Sequence, residues 1–279
     1  SQGELPSHPE LLDYLALDFI ESGWDVKALM RKLVTSATYR QQSVRRPEFE
    51  LTDPENRYLS WFPRHRLPAE FIRDNALAAS GLLVPKIGGP SVKPYQPDGL
   101  WREVTMRPDS NTGKFVRDNG QDLYRRGMYT FWKQVAPPPQ MEAFDAPSRE
   151  VCVTKRTTTN TPMQALVLLN DATYLEASRA MATRVIHEVP GEWETTLNDR
   201  LVRSYRYLTG RRPTGNSLEV LKNLTLESYE NFSEDSEKAE GFLSYGESHL
   251  DQEIDTVELA TLAYTASAIL NLDKTITRD

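Results

Sequence analysis

Thr161-Pro162-Met163-Gln164-Ala165-Leu166-Val167-Leu168-Leu169-Asn170-Asp171 is the stretch that decides the fold class. Threonine before proline, with glutamine three residues on, has the form of a capping box, in which side chains at the helix start satisfy its first amides. Proline at the first helical position gives up an N–H that the helix would leave unpaired anyway. Ala165, Leu166, Leu168 and Leu169 fill the short helix that follows. Asn170-Asp171 closes it, and Asp171 caps the next helix, expected from Ala172 to about His187. Two capped helices in succession point to helix packed on helix.

The same signals recur outward. Downstream, helices are expected at about 194–208, 217–232 and 256–270, with Gly210, Pro213 and Gly215 separating the first two. Upstream, Ser7-His8-Pro9-Glu10 has the capping-box form and precedes a stripe of Leu11, Leu12, Leu15 and Phe19 that Gly23 stops. From Asp25, the apolar residues Val26, Leu29, Met30, Leu33, Val34 and Ala37 recur at the helical period. Asp53-Pro54 predicts a short helix through Tyr58 and Trp61. Pro68 starts another with Phe71, Ile72, Ala76, Leu77 and Ala79 inward, ending at Gly81.

Residues 82–160 break every period. Gly88, Gly89, Pro90, Pro94, Pro97, Gly99, Pro108, Gly113 and Gly120 punctuate the first half, Leu123–Trp132 reads as either strand or helix, and Pro137–Pro139 forces polyproline II. With Tyr95, Leu100 and Trp101 to pin it, this is an ordered excursion over a helical body. The expected fold is mainly α with little β. It is a single domain over 1–279, helical at 1–81 and 161–279, with the excursion between.

Composition limits the function. Of 279 residues, 39% are hydrophobic and 26% charged, ordinary values for a globular chain, and no apolar run is long enough to span a membrane. The formal net charge is -7. Acidic residues interrupt the arginines of 40–66, which argues against nucleic acid as a partner. The acidic stretch from Glu219 to Glu258 reads as a solvated helical face. The one cysteine, Cys152, rules out a disulfide within the chain, and Val151 and Val153 beside it suggest a buried thiol. The four histidines fall in no metal-binding spacing, so no metal site is expected. The start, Ser1-Gln2-Gly3-Glu4, reads as part of a longer chain.

Polar residues concentrate at 145–171. Asp145, Arg149, Glu150, Arg156, Asn160, Gln164 and Asp171 are the candidates for catalysis. A carboxylate pair such as Asp145 and Glu150 does acid/base work if the fold spaces it suitably. The same residues equally serve as a buried hydrogen-bond network joining a loop to two capped helices. Tyr95, Trp101, Tyr129 and Trp132 are candidates for stacking on a sugar, or for core.

A family resemblance runs through these segments. Ser7–Asp13, Tyr39-Arg40-Gln41, Asp53–Arg57, Ile72-Arg73-Asp74, Gly88-Gly89-Pro90, Tyr124-Arg125-Arg126, Tyr129–Lys133, Ala136–Pro139, Phe144–Pro147, Arg149–Cys152, Asn160–Asp171 and Ala268–Asp273 resemble, in order, the planctomycete-specific "PSD-one" domain of unknown function. The resemblance implies an exported protein, periplasmic or at the cell surface. It implies domains upstream in the same chain, often with a haem c segment, and genes associated with polysaccharide use. It carries no catalytic residues. No C-x-x-C-H is present, so any haem lies upstream and this chain holds no cofactor. The expected role is a structural or interaction domain with protein or polysaccharide partners. A saccharide-processing enzyme and a glycan-binding module are the alternatives. If an upstream domain completes the core, the N-terminal helices expose apolar surface.

Overall fold

Asp25 shows local signals becoming structure. In the computed structural model, which describes residues 5–44, 46–106, 110–111 and 113–278, its carboxylate accepts from the Ala28 N–H at 2.9 Å. Helix α2 (Val26–Thr35) runs on from there. Helix α1 (Pro9–Glu21) precedes it, but without the expected box: the Ser7 hydroxyl turns to His8 Nδ1 at 3.0 Å, and no side chain caps the helix. After α3 (Pro47–Glu50), the helix expected at Asp53 is absent. Asp53 is buried and caps a turn, accepting from the amides of Arg57 and Tyr58 at 2.8 and 3.0 Å. Asn56 and Leu59 take positive φ, which bends the chain out of any helix.

The contacts fall into two compact units, Ser1–His65 with Thr277–Asp279, and Arg66–Ile276. The first holds α1–α3. Neither α1 nor α2 buries a residue. Leu11, Leu12, Leu17, Ile20, Trp24, Val26 and Met30 are each at least half exposed. Leu15, Phe19 and Leu29 are half-buried, so these helices gain only part of what their apolar stripes offer. Much of the apolar stripe of α1 and α2 is therefore exposed.

The second unit contains the hydrophobic core. Its helices are α4 (Ala69–Ser80), α5 (Leu100–Glu103), α6 (Pro139–Glu142), α7 (Pro162–Asn170), α8 (Ala172–Glu188), α9 (Trp193–Thr209), α10 (Gly215–Glu234), α11 (Ser236–Leu243), α12 (Thr256–Leu270) and α13 (Asp273–Ile276). Helix α8 lies at the centre, between α4 and α12, and α12 also packs on α10. Ala177 and Ala182 on α8, with Ala260, Ala263 and Ala266 on α12, are buried and small, so these helix backbones approach closely. Helix α4 ends at Gly81 in the left-handed conformation, as the sequence predicts. It buries Ala69, Ile72, Arg73, Ala76, Leu77 and Ser80 as one face. Phe71 falls on the other side and is exposed, contrary to expectation. The sheet among the described residues is two residues deep, β1 (His65–Arg66) with β2 (Thr277–Arg278). The fold is mainly α.

The excursion is ordered by a second small core and by arginines. Leu77, Tyr95, Leu123 and Tyr124 pack together under Leu82, Leu83 and Val84. Leu123–Trp132 is neither strand nor α-helix. Two 3₁₀ turns, Gly120–Tyr124 and Gly127–Tyr129, are flanked by isolated parallel bridges at Val84–Arg125 and Val92–Thr130. Buried Arg73 donates to the carbonyls of Leu123 and Arg125, both at 2.6 Å. Buried Arg125 donates in turn to Pro90 at 2.9 Å, Lys86 at 3.2 Å and Gly88 at 2.5 Å. Irregular backbone under a protein surface must pair its carbonyls, and a guanidinium has five donors with which to gather them.

Candidate functional site

The residues singled out at 145–171 divide into one network and several separate contacts, all in the second unit. Asp145 stands just past α6. Its own N–H bonds to Glu142 O at 3.0 Å and the Ala146 N–H to Met141 O at 3.1 Å, the double closure of a Schellman turn, and Asp145 takes the left-handed φ of 58°. That turn aims the carboxylate at Thr159. Oδ2 accepts from the Thr159 N–H at 2.9 Å and from Arg66 Nη2, and Oδ1 accepts from the Thr159 hydroxyl at 2.8 Å.

Arg66 and Gln164 complete the network. Arg66 Nη1 donates to the Thr159 carbonyl and, at 2.8 Å, to Gln164 Oε1. Gln164 Nε2 donates to the same carbonyl at 3.1 Å. The capping box expected at Thr161 is therefore not formed. Buried Gln164 is drawn to Arg66 and Thr159, and Thr161 makes no side-chain cap.

The other candidates do not join. Arg156 holds Glu70 of α4 in a two-pronged pair at 2.7 and 3.1 Å. Arg149 lies over the Trp132 ring, 4.7 Å from its centre. Exposed Glu150 offers only its N–H, to the Ser148 hydroxyl at 3.3 Å, and no bond links its carboxylate to Asp145 among the described residues. Asn160 is exposed and outside the network. Asp171 caps α8 as expected, accepting from the Thr173 N–H at 2.9 Å. Cys152 is exposed, against the expectation of a buried thiol, because residues 148–163 all lie at the surface.

The electrostatics follow this geometry. Burial alone would raise the Asp145 pKa, but the Thr159 amide and hydroxyl and the Arg66 charge outweigh it and hold the carboxyl below its ordinary value. Glu70 is lowered in the same way, with burial opposed chiefly by Arg156. Asp171 moves the other way, since burial dominates and raises it. A carboxylate held ionised, with both oxygens occupied, is a poor proton donor at neutral pH. Because the Asp145 pKa is lower folded than unfolded, its stabilisation is complete above the ordinary aspartate range and is lost as pH falls through the folded value. Asp145→Asn should therefore lose less stability than the parent chain between about pH 5 and about pH 2, by denaturant titration. Equal acid slopes in the two proteins would contradict this pairing.

The aromatic candidates are engaged within the fold. Tyr95 is buried, its hydroxyl accepts from the Glu247 N–H at 2.9 Å, and burial pushes its pKa up to about 12. Trp101 is buried between Phe115 and Phe131, with Lys133 Nζ 4.4 Å from the ring centre. Half-buried Tyr129 has Arg125 at 3.9 Å over its ring, and its hydroxyl accepts from the Gly88 N–H at 2.8 Å. Half-buried Trp132 donates from Nε1 to Ser148 O at 3.1 Å. Arg117, Lys133, Arg125 and Arg149 thus each cover one ring, at 5.0, 4.4, 3.9 and 4.7 Å respectively.

Among the described residues, no three His, Cys, Asp or Glu side chains converge as metal ligands, and no helix is long and apolar enough to cross a membrane. A family of proteins of unknown function, PSD1 (DUF1553), matches residues 1–225. The chain belongs to the PSD1 family. The match includes the Asp145–Thr159–Gln164 network and stops before α11 and α12, so Ala268–Asp273 lies beyond it. No curated protein and no solved structure matches the chain.

Arg66, Glu70 and Arg73 lie outside the polar-rich stretch at 145–171 that holds the candidates. Arg66 meets Asp145 across 79 positions and Gln164 across 98. Pairings at that separation leave no trace in local spacing.

Proposed function

We propose that this PSD1 chain is a structural and interaction domain of an exported multidomain protein, associated with c-type cytochrome segments, and that it docks on other domains of that polypeptide through α1 and α2. The observation that carries the reading is the contrast between the two ends of the chain. Asp145, Gln164, Arg156 and Asp171 are committed to contacts that hold the fold. Leu11, Leu12, Leu17, Ile20, Val26 and Met30 of α1 and α2 are exposed instead of buried. Exposed apolar residues gathered on neighbouring helices of a folded protein mark a contact site.

The residues present do not fit a covalently bound haem c. Thioether attachment uses two cysteines and a histidine ligand, whereas Cys152 is single, exposed and followed by Val153. The cytochrome association therefore rests on neighbouring domains. A photo-crosslinking residue placed at Leu12 or Met30 of the natural polypeptide tests the docking surface.

A further inference from the structure

Helix α10 carries Leu224, Glu227, Ser228, Asn231 and Phe232 on one side, at spacings of three and four residues. With Tyr264 of α12 they line a cavity of about 250 Å³ that opens to solvent. Two aromatic rings form its walls. Phe232 and Tyr264 stand nearly perpendicular, at 81°, with ring centres 6.2 Å apart. Phe242 of α11 backs both, 6.1 Å from Phe232 and 5.9 Å from Tyr264. The Thr225 and Thr265 hydroxyls bond at 3.0 Å between α10 and α12, which fixes the two helices that carry the walls.

The polar lining is one-sided. The Ser228 hydroxyl is spent on the Leu224 and Thr225 carbonyls, at 2.9 and 3.0 Å, and Asn231 Nδ2 on the Glu227 carbonyl at 2.9 Å. The donors are thus used up within α10, and acceptors remain. The exposed Glu227 carboxylate forms no ion pair or hydrogen bond among the described residues. The surrounding charge has the same sign. Between Glu219 and Glu258, twelve acidic residues stand against Lys222 and Lys238, a net charge of -10. A cavity with aromatic walls, an unpaired carboxylate and an acidic setting is complementary to a cation.

We infer that this cavity binds a quaternary ammonium group. One carboxylate cannot replace the water shell of a metal ion or of a bare ammonium, so a strongly hydrated cation loses more on entry than it gains. Methyl groups around the nitrogen remove most of that shell. They pack on Leu224 and on the ring faces, while the positive charge is met by those faces and by Glu227. The site is independent of α1 and α2, and the docking surface proposed there stands or falls without it.

The test is a proton NMR titration of the choline methyl resonance with the 279-residue chain. Bound over the two rings, the resonance should move upfield, and the titration gives a dissociation constant. Choline should bind about tenfold more tightly than its neutral isostere, in which a tert-butyl group replaces the trimethylammonium. Glu227→Gln and Tyr264→Leu should each weaken choline binding by about fivefold or more, and Glu227→Gln should do so without changing the melting temperature. A short glycine–serine peptide around one trimethyl-lysine distinguishes the sources of the group. Tighter binding of the peptide assigns it to a protein partner, and tighter binding of choline to a small molecule; both support the site. Equal binding of choline and its neutral isostere overturns the inference. So does binding of neither choline nor the peptide, or choline binding that both substitutions leave unchanged.

Discussion

Arg73→Met should lower the stability of the chain by about 3–5 kcal/mol, the cost typical of breaking a buried charged network by removing one partner. Arg73 has no exposed surface. Burial pulls its pKa down, and the Asp74 and Asp171 carboxylates oppose that shift. Its two Nη atoms take the Leu123 and Arg125 carbonyls at 2.6 Å, while its Nε has no partner. Methionine fills much of the same volume but leaves both carbonyls buried and unpaired, each at a cost of about 1–3 kcal/mol. The effect should also be regional. Residues 84–130 are gathered through Arg73 and then Arg125, so their amides should exchange faster in the variant, while those of α8 and α12 remain the slowest. Denaturant unfolding combined with exchange measures both. A loss below about 1 kcal/mol would show that the excursion is held by its apolar contacts alone.

Gly246→Ala is the second large effect. Gly246 has φ +88°, and a Cβ placed there would overlap the Glu176 side chain. Glu176 is almost fully buried and cannot swing away freely. Its Oε1 accepts from the Tyr124 hydroxyl at 2.8 Å and from the Ser248 N–H at 2.5 Å. The methyl group must therefore strain the backbone and displace a carboxylate that joins the excursion to α8. A loss of about 2–4 kcal/mol is expected from left-handed strain and overpacking together. Gly241, inside α11, is the control. A Cβ there meets nothing within 4 Å, and Gly241→Ala should raise stability by about 0.5–1 kcal/mol. If the two variants melt together, the close packing of Gly246 on Glu176 is not what holds this loop.

The helices were legible where the signal was local. Asp25, Asp171 and Gly81 act at α2, α8 and α4 as their residue types foretell, because a cap and its helix are neighbours in sequence. Local patterns failed where a distant partner competed. Gln164 has the spacing of a capping box, but a buried amide beside Arg66 is better satisfied by that guanidinium and by the Thr159 carbonyl. Asp53-Pro54 has the form of a helix start, but the Asp53 carboxylate takes the Arg57 and Tyr58 amides into a closed turn. The valines beside Cys152 suggest a buried thiol, but hydrophobic neighbours in sequence do not place a residue inside, and Cys152 is exposed. In the candidate site, Asp145 and Gln164 were identifiable as polar residues in a polar-rich stretch. That Arg66 joins them required the fold, since nothing in the sequence links positions so far apart.

The central claim is that α1 and α2 form a docking surface, and crosslinking tests it most directly. A photo-crosslinking residue at Leu12 or Met30 should join this chain to another part of the natural polypeptide. The same residue at Leu226, which is exposed on α10, should react mainly with solvent. Leu12→Glu combined with Met30→Glu should remove the docking while leaving the melting of the Arg66–Ile276 unit unchanged. If Leu12 and Met30 crosslink no more than Leu226 does, nothing covers these helices and the account is wrong.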